Sequence, residues 1–331
     1  MDEPRPATIR TTSRPPAFDF QALAVSARPL KIRKGMSVEE AYRATLLGCH
    51  AHVTANVTAV MHSREVEGLH QLRVGLRRLA VAFSAFGEEF QTPEQRALLE
   101  RTKAFSSKIA PARDLDVFTE QLFEPTVAAL GQDAAFSLLR ERLGQARREA
   151  WDQVVERVAS AEFTSLHNDV AQAAQNRAWT VSDLTGRSVM RAPVKSVAGL
   201  RLDEYLVKAR KRGRHLKTLE QRDCHRLRIS LKKLRYAAEF YGPLFRKKKV
   251  KTYIGHLKEL QDILGEINDS GQVRAILAQL TGGDAMAPRV EADLFFASGL
   301  INGWHRARAA RLGKSALKRW DDFRRLEPFW A

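Results

Sequence analysis

From Ser37 onward apolar residues recur at spacings of three and four along almost the whole chain. At about 100° per residue, Leu69, Leu72, Leu76, Leu79, Phe83 and Phe86 fall on one face of a helix, and Leu227, Leu231, Leu234 and Ala238 do the same in a second run. Strand-like alternation is nearly absent. The pattern predicts helices over 37–62, 66–86, 93–110 with a continuation to about 123, and 131–178 with at least one break. After a turn-rich stretch over 179–197 it resumes over 198–217, 221–241, 250–280 and 288–325. Thr218-Leu219-Glu220-Gln221 offers a capping box ahead of 221–241, Gly242-Pro243 ends that helix, and Gly87 ends 66–86.

The two apolar runs belong to a repeat. His70-Gln71-Leu72-Arg73-Val74-Gly75-Leu76-Arg77-Arg78-Leu79 recurs as His225-Arg226-Leu227-Arg228-Ile229-Ser230-Leu231-Lys232-Lys233-Leu234, an offset of 155 residues. The same offset relates Arg113-Asp114 to Asn268-Asp269, Phe86 to Tyr241, Gly87 to Gly242, Phe90 to Phe245 and Lys103 to Lys258. Such ungapped correspondence reads as internal duplication. The expected fold is all-α: two antiparallel four-helix bundles related by a pseudo-two-fold axis around a basic central cavity. The expected organisation is a flexible Pro/Arg-rich leader over 1–35, a first bundle over 36–178, a linker over 179–197 and a second bundle over 198–331. Two halves of this size bury two ordinary cores.

Beside each apolar stripe runs a cationic one: His70, Arg73 and Arg77 in the first copy, His225, Arg228, Lys232 and Arg235 in the second. The helical wheel turns Arg78 and Lys233 elsewhere. An ordered row of cations next to a buried seam lines a groove, whereas plain solvation scatters charge. Lys103 and Lys258 join the set, and the first helix of each half is expected to supply the opposing wall, with Arg201, Lys208, Arg212 and His215 at helical spacing. Arg147, Arg148, Arg308 and Arg311 are further candidates, with exposed basic faces as the equal alternative. Lys247-Lys248-Lys249 reads as a solvated loop that could also act as an electrostatic funnel. Asp114 and Asp269 would repel an anionic ligand directly, so they either orient Arg or His side chains or cap helices. The tryptophans at 151, 179, 304, 320 and 330 read as packing anchors at bundle ends.

The charge balance, 55 Lys and Arg against 38 Asp and Glu, sharpens the expected partner to a polyanion and leaves nucleic acid, anionic membrane and inorganic polymers open. Cys49 and Cys224 show no ligand spacing and read as buried thiols of a reducing compartment. No apolar stretch is long enough to span a bilayer and the N-terminus lacks a secretory h-region, so a cytoplasmic location is expected. The histidines do not pair at metal-ligand spacings, and no phosphate loop, zinc-protease motif or nucleophile elbow occurs. The expectation is a binding protein that is not an enzyme and holds no metal or cofactor.

The paired His-x-Leu-Arg-x-x-Leu-[Arg/Lys]-[Arg/Lys]-Leu helices, the run Glu67-Gly68-Leu69-His70-Gln71-Leu72-Arg73-Val74, and the later Arg113-Asp114-Leu115-Asp116 and Leu264-Gly265-Glu266-Ile267-Asn268-Asp269 resemble the CHAD family of conserved-histidine helical domains over roughly 36–331. That resemblance implies two four-helix bundles facing one another across a basic cavity, binding of inorganic polyphosphate and association with polyphosphate granules. Members often follow a triphosphate-tunnel (CYTH) domain, whose Glu-x-Glu-x-Lys signature is absent: Glu65-Val66-Glu67 is followed by Gly68-Leu69. The chain therefore reads either as a solitary member or as a fragment.

The residues suit such a ligand. A linear polyphosphate offers charge and no base edges, so a mixture of planar guanidinium forks and mobile ammonium groups fits it in any register. An adjacent anion favours imidazolium, so His70 and His225 are expected to bind as cations, with affinity rising as pH falls. The alternatives are a basic helical module that binds nucleic acid non-specifically through charge, which few interleaved aromatics support, and a scaffold that docks an acidic protein.

Overall fold

The computed structural model describes residues 23–331 apart from 88–89, 132–133, 178, 180–183 and 283–287. Twelve α-helices are named here: α1 (Val38–Ser63), α2 (Val66–Ala85), α3 (Pro93–Lys108), α4 (Ala110–Val117), α5 (Glu124–Leu130), α6 (Ala134–Ala159), α7 (Ala161–Asn176), α8 (Leu184–Arg191), α9 (Val194–Gly213), α10 (Gln221–Tyr241), α11 (Lys247–Thr281) and α12 (Pro288–Arg325). Among the described residues there is no strand, only an isolated bridge between Ser37 and Pro193.

Local chemistry explains most boundaries. Ser37 and Glu40 close a capping box at the start of α1, and the Thr92 hydroxyl accepts from the Gln95 amide ahead of Pro93. The break within 131–178 falls at Ser160, whose hydroxyl caps α7. The expected continuation after 110 is α4 followed by a π-helical turn, Phe118–Phe123, and α5. Proline accounts for both interruptions. Pro111 and Pro125 lack an N–H and crowd the carbonyl four residues back, so the chain re-starts as α4 and widens just before α5. The matching stretch of the second half has no proline and runs unbroken as the 35-residue α11.

Several expectations are corrected. The leader is not loose up to 35, because Val25 exchanges hydrogen bonds with the Asn56 side chain and Ile32 is buried; residues 1–22 lie outside the described set. The 179–197 stretch contains α8 and the start of α9, and Trp179 within it is fully buried against Tyr42. The capping box at 218–221 does not form: Thr218 sits in a short 3-10 turn, Leu219 takes φ 52°, and Glu220 caps α10 without a side-chain bond. Lys247–249 form the first turn of α11 instead of a loop.

The stripe residues are buried as their spacing predicted: Leu69, Leu72, Leu76, Leu79, Phe83, Phe86, Leu227, Leu231, Leu234 and Ala238. The cores do not divide at the linker, however. The larger cluster joins α1–α3, α7, α9, α10, parts of α6 and α11 and the end of α12. The smaller one joins the π-helical turn, α5 and the start of α6 to the end of α11 and the first half of α12. Residues of α2 and α10 clasp across the halves, where the Tyr241 hydroxyl donates to the Ala85 carbonyl and Arg78 pairs with Glu239 at 2.5 Å. Cys49 and Cys224 are free and buried, and burial pushes the Cys49 thiol up to about 11. Trp304 is no packing anchor; it lies 39% exposed on α12.

Candidate anion-binding cavity

α2 and α10 each turn the polar flank of their buried stripe toward a shared cavity of about 730 Å³, which α3, α4 and α11 complete. Seven of the predicted basic residues meet there: His70, Arg73 and Arg77 from α2, Lys103 from α3, and His225, Arg228 and Lys232 from α10. Asp114 and Asp269 are also in its lining. Positions 155 residues apart thus stand on one cavity: His70 with His225, Arg73 with Arg228, Arg77 with Lys232, and Asp114 with Asp269.

The remaining candidates lie outside it. Arg147 is engaged by buried Asp116 at 2.6 Å and by Glu120, and Arg308 makes two bonds to Glu266 at 2.6 and 2.9 Å. Arg235 turns back to Glu239 and Gln261, and Arg201 pairs with Glu204. Lys208 lies over the Tyr205 ring, while Arg212 and Lys258 are exposed away from the lining. Neither α1 nor α9 supplies a wall, because both pack behind α2 and α10. The opposing walls come from α3, α4 and α11, the helices that follow each signature.

Reading the helical wheel missed Arg113 and Lys233. Arg113 sits on α4 one residue before Asp114, and its place at the 155-residue offset from Asn268 was the available signal. Lys233 lies on the same rim as Lys103; partial desolvation, then Lys103 and Lys208, depress its basicity. Tyr236 and Asn268 are also in the lining.

The cations in the cavity disfavour one another's charged forms. Burial first, and then Arg113, holds the His70 imidazolium down to about 4, opposed by Glu67. Burial, then Arg228 and Arg77, brings Lys232 down to about 7, and burial lowers Arg73 to about 10 against the pull of Asp114. The Nε atoms of Arg73, Arg77, Arg113 and Arg228 are buried without a hydrogen-bond partner. Donors left in that condition cost free energy.

The carboxylates sit among these cations in helix interiors, Asp114 in α4 and Asp269 in α11, so neither is a cap. Burial raises both, and the leading opposing charge is Arg73 for Asp114 and Arg228 for Asp269. His225 is held differently: its Nδ1 donates to the Asn268 side-chain oxygen at 2.7 Å. Room for Arg228 depends on Gly265, where a Cβ would come within 3.1 Å of the guanidinium. Among the described residues no three His, Cys, Asp or Glu side chains gather as a metal site, and no helix is long and apolar enough to cross a membrane.

The architecture is similar to solved structures. It superposes on the CHAD domain from the plant Ricinus communis with a TM-score of 0.76 at 23% identity, covering 92% of this chain and 98% of that one. PptA from Streptomyces chartreusis matches with a TM-score of 0.62 at 17% identity, covering 86% of this chain and 100% of that one. A comparison with curated proteins finds no match. The CHAD domain family model matches residues 44–278, a span that contains both signature helices and both cavity aspartates. By that match, the chain belongs to the CHAD family.

Proposed function

We propose that this protein binds inorganic polyphosphate in the cavity between α2 and α10, as a binding protein and not an enzyme, and that it associates with polyphosphate granules in the cytoplasm. The observation that carries the reading is the convergence of Arg73, Arg77, Arg113 and Arg228, each with a buried, unpartnered Nε, on one cavity. Guanidinium groups in that state suit phosphate oxygens. The cavity lining includes a single aromatic residue, Tyr236, which gives little for stacking bases. Each half supplies a His, two further cations and an Asp at matching positions, which supports descent of the halves from one duplicated unit around a pseudo-two-fold axis. Asp114 and Asp269 act in this reading as groups that orient Arg73 and Arg228.

The test is a salt titration of binding to long-chain polyphosphate and, at matched phosphate concentration, to duplex DNA, with wild type and Arg73→Glu/Arg228→Glu. Preference for polyphosphate, a steep loss with salt and collapse in the double variant are expected. Equal binding of both polymers, or a variant that binds like wild type, withdraws the reading.

A further inference from the structure

Among the described residues, nothing covers the apolar face that the first half of α12 presents. Phe295 and Phe296 are each 56% exposed, and Leu300 and Trp304 join them on successive turns. Between them lie Gly299 and Gly303, one turn apart on the outermost line of the helix. A Cβ at either glycine would meet no atom within 4 Å, so neither is there to admit a neighbour from its own chain. Glycine inside a helix costs backbone entropy, and two on an open face are a liability unless another backbone approaches there. The inward face of the same segment, Leu294, Ala297 and Ile301, is spent on the smaller core.

We infer that α12 is a self-association surface, on which a second copy of this chain packs its own α12 antiparallel, crossing at Gly299 and Gly303. The face is self-complementary in that arrangement. With Gly299 set against Gly303 of the second copy, a two-fold axis relates the helices and Ala292 falls opposite Ala310. On one flank Phe295 meets Arg306 of the second copy, an arginine over an aromatic ring. On the other, Phe296 meets Trp304, and Asp293 comes within reach of Arg311. The charge order enforces direction. Glu291 and Asp293 lie before the glycines, with Arg289 ahead of them, and Arg306 and Arg311 lie after, so antiparallel pairing sets the two acids toward the two arginines, whereas parallel pairing sets like charges side by side. Small residues at the crossing let the helices approach closely while the aromatic side chains close over the seam.

The experiment is sedimentation velocity on the full chain over a concentration series, at physiological ionic strength and without any polyanion. A monomer–dimer equilibrium is expected for wild type. Phe296→Glu/Trp304→Glu should be monomeric throughout while keeping the helical circular dichroism of the parent. Asp293→Arg should shift dissociation to at least tenfold higher concentration, and Asp293→Arg/Arg311→Asp should restore it toward the parent value. Rescue by the exchanged pair reads the antiparallel register, which a nonspecific apolar contact would not produce. A chain that stays monomeric at every concentration overturns the inference, as does a dimer indifferent to Phe296→Glu/Trp304→Glu. Binding to vesicles of phosphatidylglycerol and phosphatidylethanolamine through this face, by a protein monomeric in solution, would overturn it in favour of a membrane surface. None of these readouts involves polyphosphate, so its outcome is independent of the cavity's ligand.

Discussion

His225 donates from Nδ1 to the Asn268 side-chain oxygen across 2.7 Å, whereas His70, 155 residues earlier, has Arg113 as its leading charged neighbour where Asn268 would stand. One half of the cavity pairs its histidine with a neutral amide and the other with a guanidinium. A neutral His225 in this tautomer presents Nε2 as an acceptor, and a protonated one presents it as a donor. The two histidines therefore meet the site through different neighbours.

Arg113→Asn tests that asymmetry. His70 is held at about 4 by burial first and Arg113 second, so removing the guanidinium should move its titration upward while leaving it below the ordinary imidazole value. Imidazole NMR shifts followed between pH 3 and 8 would read the change; an unmoved His70 would mean that Arg113 does not act on it.

Binding should be coupled to protons through Lys232. Its ammonium is brought down to about 7 by burial and by Arg228 and Arg77, and a bound polyanion should return it toward the ordinary lysine range. Binding then takes up protons above pH 7, and affinity falls as pH rises through and beyond that value. Calorimetry in buffers of different ionisation enthalpy should record net uptake at pH 8, and Lys232→Met should reduce it. A flat affinity profile from pH 5.5 to 8 would remove both Lys232 and His70 from the ligand's charge balance.

The same depressed lysine makes a prediction for the free protein. Between about 7 and its ordinary value near 10.5 the unfolded chain binds a proton at Lys232 that the folded chain does not, so stability rises with pH across that window. Melting temperature should climb between pH 7 and 9, and Lys232→Met should flatten the climb. Saturating polyphosphate should also flatten it, because the ligand restores the proton.

Arg78 and Glu239 tie α2 to α10 with both side chains largely withdrawn from water, at 8% and 23% exposure. Glu239→Ala strands Arg78 beneath Tyr236 and Phe240 and also releases Arg235, so a loss of roughly 3–5 kcal/mol is expected. Asp152→Ala, which breaks the open Arg64 pair, should cost about 1 kcal/mol or less. Urea unfolding of the two variants measures the difference.

Gly213 touches the ring of Trp320, and a Cβ there would overlap it at 1.9 Å. Gly213→Ala should destabilise by about 1–3 kcal/mol through forced movement of α9 against α12. Gly255→Ala, with nothing within 4 Å, should be neutral or slightly stabilising by thermal melting.

The sequence by itself determined the helices, the buried stripe on each signature and the cations beside it, because helical periodicity is a local property that Leu69 to Phe86 and Leu227 to Ala238 express without help from the rest of the chain. It also carried the 155-residue correspondence that pairs Arg73 with Arg228. Tertiary packing decided which cations share a volume. Arg147, Arg235 and Arg308 are candidates along the chain as Arg73 is, yet each is drawn off by a carboxylate from another turn or helix: Asp116, Glu239 and Glu266. Arg113 and Lys233 enter the cavity because α4 and α10 are set at angles that no wheel drawn on one helix contains. Charge neutralisation depends on distance through space, and only the packed helices fix that distance.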